Sequence, residues 1–260
     1  GFIPIKVDRE ERPDIDNIYM SVTQMITGRG GWPMTVIMTP DKEPFFAGTY
    51  FPKRTRGRRS GMMELLPNIK MYWDTKRDSL LQDAGKLTQR LKNANKSSRS
   101  RESLAENILD KTYSIFDNRF DETFGGFGNA PKFPKPHDYL FLLKYYSRTK
   151  NSDALEMAEK SLKEMRKGGL YDQIGFGFHR YSTDKNWLVP HFEKMLYDQA
   201  LLVHAYLEAY QVTGNQFYAD VVHEVLEYVE RDMTSADGGF FSAEDADSEG
   251  EEGLFYLWTT

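Results

Sequence analysis

"TGRGGWPMTVIMTPDKEPFFAGTYFP", residues 27–52, decides how the first third of the chain is read. Three glycines and a Trp-Pro step lead into an apolar β run, Met34 to Met38. A turn around Pro40 follows, and Pro44 to Phe51 makes a short antiparallel return. A proline heading such a run removes a ladder donor, so it suits a strand's first residue or an edge. A cis bond between Trp32 and Pro33 gives a reason for proline here.

Upstream, "FIPIKVD" alternates branched apolar residues and reads as a buried strand. Ile15, Ile18, Tyr19, Val22 and Ile26 then recur at helical spacing, with Asp14 as N-cap and Gly28 as the stop. Downstream, Met62 to Trp73 and Leu80 to Leu91 have helical periodicity. The resulting order, β-α-β-β-α with a proline before the second strand, is that of the C-terminal part of a thioredoxin fold. Pro33 is then a structural cis-proline beside the place of a redox centre. The chain has no cysteine, which excludes disulfide, thiolate and thiolate-metal chemistry within it. The strands, helix and cysteine turn that open such a fold are expected upstream of Gly1.

Charge divides the chain. Residues 1–100 carry 18 Lys+Arg against 11 Asp+Glu, a net +7, and the rest carries 16 against 28, a net −12. Opposite signs suggest two domains. The basic run "KRTRGRR", residues 53–59, is short, broken by glycine and without a nucleic-acid motif around it, so it reads as a solvated loop and no nucleic-acid partner is expected. Mean hydropathy of −0.62 and the absence of a long apolar run or secretory signal point to a cytoplasmic protein without a membrane partner. Oligomeric state is not legible.

"NANKSSRSR", residues 93–101, has the composition of a linker. Beyond it, helices are expected at about 103–118, 137–147, 152–167, 190–212 and 215–232. Between them stand glycine-aromatic loops, "FDETFGGFGNAPKFP", "KGGLYDQIGFGFHRYS" and "TSADGGFFSAEDADS". Helix pairs separated by similar loops read as repeated αα-hairpins.

"IKVDREERPDID", "GGWPMTVIMTPD", "GTYFP", "GGFGNAPKFP", "WLVPHFEKMLYDQA" and "SAEDADSEGEEG" together resemble the YyaL / spermatogenesis-associated protein 20 family almost end to end. The resemblance implies a thioredoxin-like domain joined to a six-hairpin (α/α) barrel similar to N-acylglucosamine 2-epimerases. It also implies a cysteine- and histidine-containing motif upstream of "IKVDREERPD". The expected fold class is an α/β thioredoxin-like domain, C-terminal part only, over residues 1–92. An all-α, incomplete (α/α)6 barrel follows over 102–260, the chain being an internal fragment.

The segment from Phe176 to Tyr210 holds the candidate chemistry. With Pro190 at the first helical position, His191, Lys194 and Asp198 share a helix face. Imidazoles near neutrality beside carboxylates suit proton abstraction next to a sugar carbonyl. His179, His191, Glu193 and Asp198 are therefore the candidate catalytic groups. Arg180, Tyr181, Trp187 and Tyr197 are the candidate substrate contacts, with Trp187 stacking on a sugar ring. Glu193 paired with Asp172 or Asp198 is the competing glycoside-hydrolase reading. "EDADSEGEEG" mimics the start of a calcium loop, but its twelfth position is Tyr256 where a bidentate Glu is required, so no metal is expected. No cofactor is expected either. The anticipated partner is a carbohydrate-like small molecule; the rival reading is a non-catalytic, redox-regulated or protein-interaction module.

Overall fold

The structure is a computed structural model that describes residues 1–57, 59–94 and 107–258. The chain splits into two compact units, Gly1–Glu102 and Ser103–Thr260. Most of the expected linker lies outside the described residues; Asn93 and Ala94 end a helix.

In the first unit, α1 (Pro13–Thr27) opens with proline at its first turn, where a missing N–H costs nothing, and stops at Gly28 in the left-handed conformation. Asp14 falls inside the first turn, with Arg12 at the cap position instead. β1 (Thr35–Met38) and β2 (Pro44–Gly48) form an antiparallel hairpin with Val36 opposite Ala47. α2 (Met62–Thr75) and α3 (Arg77–Ala94) follow. Val22, Ala47 and Leu91 form the buried centre, with Tyr19, Val36 and Leu87 packed on it. The Trp32–Pro33 bond is cis, as the sequence predicts. The expected strand over Phe2–Val7 does not form: no strand among the described residues pairs with it, and Ile3 and Ile5 are exposed. Alternation marks a strand only where a neighbouring ladder takes up its backbone groups.

The second unit is built from α4 (Asn107–Asp117), α5 (Pro136–Thr149), α6 (Ser152–Lys167), α7 (Leu196–Thr213) and α8 (Gln216–Asp232). Two of its turns are near copies. In "TKN", 149–151, and "TGN", 213–215, the threonine hydroxyl accepts from the asparagine N–H at 3.2 Å. A residue with positive φ, Lys150 or Gly214, ends the first helix of each pair. Asn151 or Asn215 then caps the next helix, accepting from the N–H of Ala154 or Phe217. Such short connections force antiparallel neighbours. α6 buries Ala154, Met157, Ala158, Ser161, Leu162 and Met165, one helical stripe, against a core shared with Leu142, Leu202, Tyr206 and Val221.

Short two-residue strands tie the loops. β3 (Tyr181–Ser182) pairs with β4 (Pro190–His191), β5 (Lys194–Met195) with β6 (Ala243–Glu244), and β7 (Asp247–Ser248) with β8 (Glu251–Glu252). The expected helix start at Pro190 is therefore corrected. Residues 190–191 and 194–195 are strands and 192–193 are irregular, because tertiary partners take the backbone groups here: Arg180 N–H donates to Glu193 O, and Leu196 N–H to Ser242 O. Pro190 stands at the first residue of a strand, where its lost donor is tolerated.

Candidate functional site

The glycine-aromatic loops are held by a recurring device. Asp121 accepts from the N–H groups of Thr123 and Phe124, and its other oxygen accepts from Lys132 Nζ at 2.8 Å. Asp172 repeats this with Ile174, Gly175 and Lys194 Nζ, also at 2.8 Å. Each lysine is buried and spends a second bond on a loop carbonyl, Lys185 O or Phe176 O. Bridges join Phe120 to Phe127 and Tyr171 to Phe178 across the bases of the two loops. Gly125 stands at φ +67° with Ser161 Cα only 2.8 Å from where a Cβ would lie, so this crossing admits glycine alone. The sequence shows the loops but not their lysines, which stand 11 and 22 residues further on.

The second loop delivers the candidate residues. Buried Gln199 accepts from Phe178 N–H at 2.8 Å and donates to Phe178 O at 2.7 Å, fixing the segment that leads through His179 and Arg180 into β3. His179 is only 2% exposed. Its Nδ1 meets Phe192 O at 3.1 Å, and its ring is edge-on to Phe192 and Tyr256. A carbonyl partner requires Nδ1–H as donor, and burial pushes the imidazole down to about 4, so it is neutral. His179 is thus a strut behind an aromatic wall.

His191 lies opposite Tyr181 across β3–β4, with the rings stacked at 4.9 Å. Its Nδ1 is 2.6 Å from Glu252 Oε1, and its Nε2 is 3.9 Å from Glu193 Oε2. Glu252, on β8, escapes sequence reading because it sits in the acidic run that mimics a calcium loop. Arg180 Nη1 donates to Asp198 Oδ2 at 2.7 Å, its Nε lies 3.9 Å from Glu193 Oε2, and its plane lies over Tyr197 at 4.8 Å. Burial pushes Asp198 up to about 6, outweighing Arg180, which pulls the other way.

Three expectations change. Trp187 is wholly buried, its Nε1–H donating to Phe124 O at 2.8 Å and its ring under Lys132, so it cannot stack on a ligand. Asp198 is committed to Arg180. Asp172 is committed on both oxygens, one accepting from the N–H groups of Ile174 and Gly175 and the other from Lys194 Nζ, so it is a strut of its loop. The groups that meet at an accessible face are His191, Glu193, Glu252, Tyr181 and the Arg180–Asp198 pair.

The two shifts make opposite contributions to acid stability. His179 is neutral when folded and protonates near 6.5 when unfolded, so the unfolded state binds the extra proton and stability is lost as pH falls from 6.5 to about 4. Asp198 takes its proton near 6 folded but near 3.8 unfolded, so it adds stability as pH falls through that window. His179→Asn, whose amide retains a donor for Phe192 O, is expected to remove the first contribution. Urea titrations from pH 7 to pH 4 then show wild type losing on the order of 3 kcal/mol more than the variant. Parallel curves contradict a buried neutral imidazole.

Residues 1–92 match the Thioredox_DsbH family, described as "Protein of unknown function, DUF255". Human spermatogenesis-associated protein 20 is 44% identical over 99% of this chain, and the Mus musculus protein 43% over 100%. An uncharacterised Caenorhabditis elegans protein is 39% identical over 99%. The chain spans about a third of the length of these relatives, 34% for the human protein. Among solved structures, cellobiose 2-epimerase from Bacillus thermoamylovorans aligns with 54% of this chain and 40% of its own at 16% identity and a TM-score of 0.47. A D-mannose isomerase aligns with 70% and 46% at 19% identity and a TM-score of 0.39. Neither partial likeness assigns a reaction here. A thioredoxin-like α/β part is followed by a unit of αα-hairpins. No helix among the described residues is long and apolar enough to cross a membrane.

Proposed function

The chain belongs to the spermatogenesis-associated protein 20 family, and from that premise we propose that its helical unit binds a carbohydrate-like carbonyl compound and moves protons on it. The observation that carries this reading is the His191–Glu252 contact of 2.6 Å. A carboxylate on Nδ1 fixes the ring's orientation and tautomer and leaves Nε2 as the working nitrogen. Nε2 faces Glu193, and the half-buried Tyr181 ring supports the imidazole from one side. Arg180 offers donors to hydroxyl or carbonyl oxygens while Asp198 keeps its charge balanced. In this scheme His191 takes a proton from the carbon next to the carbonyl, Arg180 stabilises the oxygen that gains charge, and Glu193 holds a hydroxyl. His179 acts through position, by holding Phe192 O.

The test is solvent exchange. Reducing sugars are incubated with the protein in D2O and followed by proton NMR at the carbon beside the carbonyl. Wild type is expected to wash deuterium into at least one sugar, with His191→Asn slower by about a hundredfold or more. Glu252→Gln should lower kcat with KM little changed, because it orients the base without touching the ligand. A panel in which no sugar exchanges, or exchange indifferent to His191, rejects the proposal.

A further inference from the structure

The loop braced by Asp121 borders a cavity of about 380 Å³, lined by Arg119, Phe120, Asp121, Gly128, Asn129 and Lys185. Its volume is within the range of small-molecule pockets. The repeat accounts for the opening. Gly128 follows the bridging residue Phe127 as His179 follows Phe178, so the two positions correspond. In the second loop the buried His179 ring fills this place, against Phe192 and Tyr256. At Gly128 the backbone has φ +91°, and a Cβ would meet nothing within 4 Å.

The cations of this cavity lack counter-charges. Among the described residues neither the Arg119 guanidinium nor the Lys185 ammonium lies within ion-pair distance of a carboxylate; the ammonium stands over the Phe124 ring, 5.6 Å from its centre. Asp121, Asp184 and Asp138 are committed elsewhere. Asp121 accepts from the N–H groups of Thr123 and Phe124 on one oxygen and from Lys132 Nζ on the other. Asp184, beside Lys185, accepts from the N–H groups of Asn186, Leu188 and Val189. Asp138, whose field reaches Arg119, pairs with His137 at 3.3 Å. The Asn129 side-chain amide has no protein partner among the described residues.

Two cations and an amide donor around one cavity, whose lining carboxylate is already neutralised by Lys132, suit a dianion with several acceptor oxygens. A guanidinium takes two phosphate oxygens at once, and an ammonium adds a point charge. A carboxylate ligand would offset only one of the two cations. We propose that this cavity binds a small phosphate monoester, with Arg119 and Lys185 holding the phosphate, Asn129 donating to one of its oxygens and Phe120 against the organic part. The site uses none of the groups assigned to the reaction at His191, so it is independent of that reaction.

Calorimetric titration of the full chain with glycerol 3-phosphate and glucose 6-phosphate tests this, at about pH 8, above the second phosphate pKa of roughly 6. Inorganic phosphate, acetate and glycerol serve as probes of the free ion, a monoanion and a neutral polyol. Saturable binding of at least one ester is expected, weakened about tenfold or more in Arg119→Met and several-fold in Lys185→Met by loss of charge-assisted bonds. Both side chains are exposed, so thermal unfolding of both variants should match wild type and separates loss of binding from loss of fold. Lys111→Met, which removes the same charge outside the cavity, should bind as wild type does. No saturable binding of either ester, binding of inorganic phosphate alone, equal affinity for acetate, or an equal loss in Lys111→Met overturns the proposal.

Discussion

Lys194→Met should destabilise the helical unit by about 3–5 kcal/mol, because it strands the Asp172 carboxylate in a buried place without its cation. Lys132→Met should do the same through Asp121. A buried ion pair adds little net stability against an apolar replacement of both partners, yet removing one partner leaves a desolvated charge. The double variant Asp172→Leu with Lys194→Met should therefore recover much of the loss, although the loop amides that Asp172 accepts from then need water. Urea denaturation of the single and double variants measures this. Single variants within about 1 kcal/mol of wild type would show the lysines to be incidental, since a surface pair is worth no more than that.

Trp187→Ala carries the other large effect. The side chain is fully buried, and truncation of such an aromatic costs about 3–5 kcal/mol through lost contacts and the cavity left behind. It also leaves Phe124 O without the indole donor. Gly126 crowds this ring, a Cβ there falling 2.6 Å from Trp187 Cζ2, so the first glycine loop is shaped around it. Thermal unfolding should drop by many degrees, and a fall of only a few degrees would mean that the loop region does not unfold with the core.

These two predictions also mark what the sequence made legible. Helix periodicity located α5, α6 and α8 closely, because local spacing and Asn caps at 151 and 215 carry that information within each segment. The cis bond at Pro33 was legible from the order of elements around it. The non-helical course of residues 190–195 was not, since it is imposed by Arg180, Ser242 and β6, groups that no local pattern relates to them. Phe2–Val7 failed in the opposite sense, a strand pattern without a ladder. At the candidate site, residue types pointed to His191, Glu193 and Arg180, while Trp187 looked like a ligand platform because an aromatic residue in a loop gives no sign of its burial. Glu252 lies 61 residues from the histidine it meets, and only the β7–β8 hairpin brings it there.

The central claim is that Glu252 turns His191 into an oriented base with Nε2 free. Long-range nitrogen-15 correlation spectra of the imidazole groups at pH 8.5, with Glu252→Gln to assign the effect, test it most directly. The account predicts the His191 tautomer with its proton on Nδ1 and the lone pair on Nε2, a pattern weakened in Glu252→Gln. His191 protonated on Nε2, or a tautomer mixture indifferent to Glu252, would contradict it.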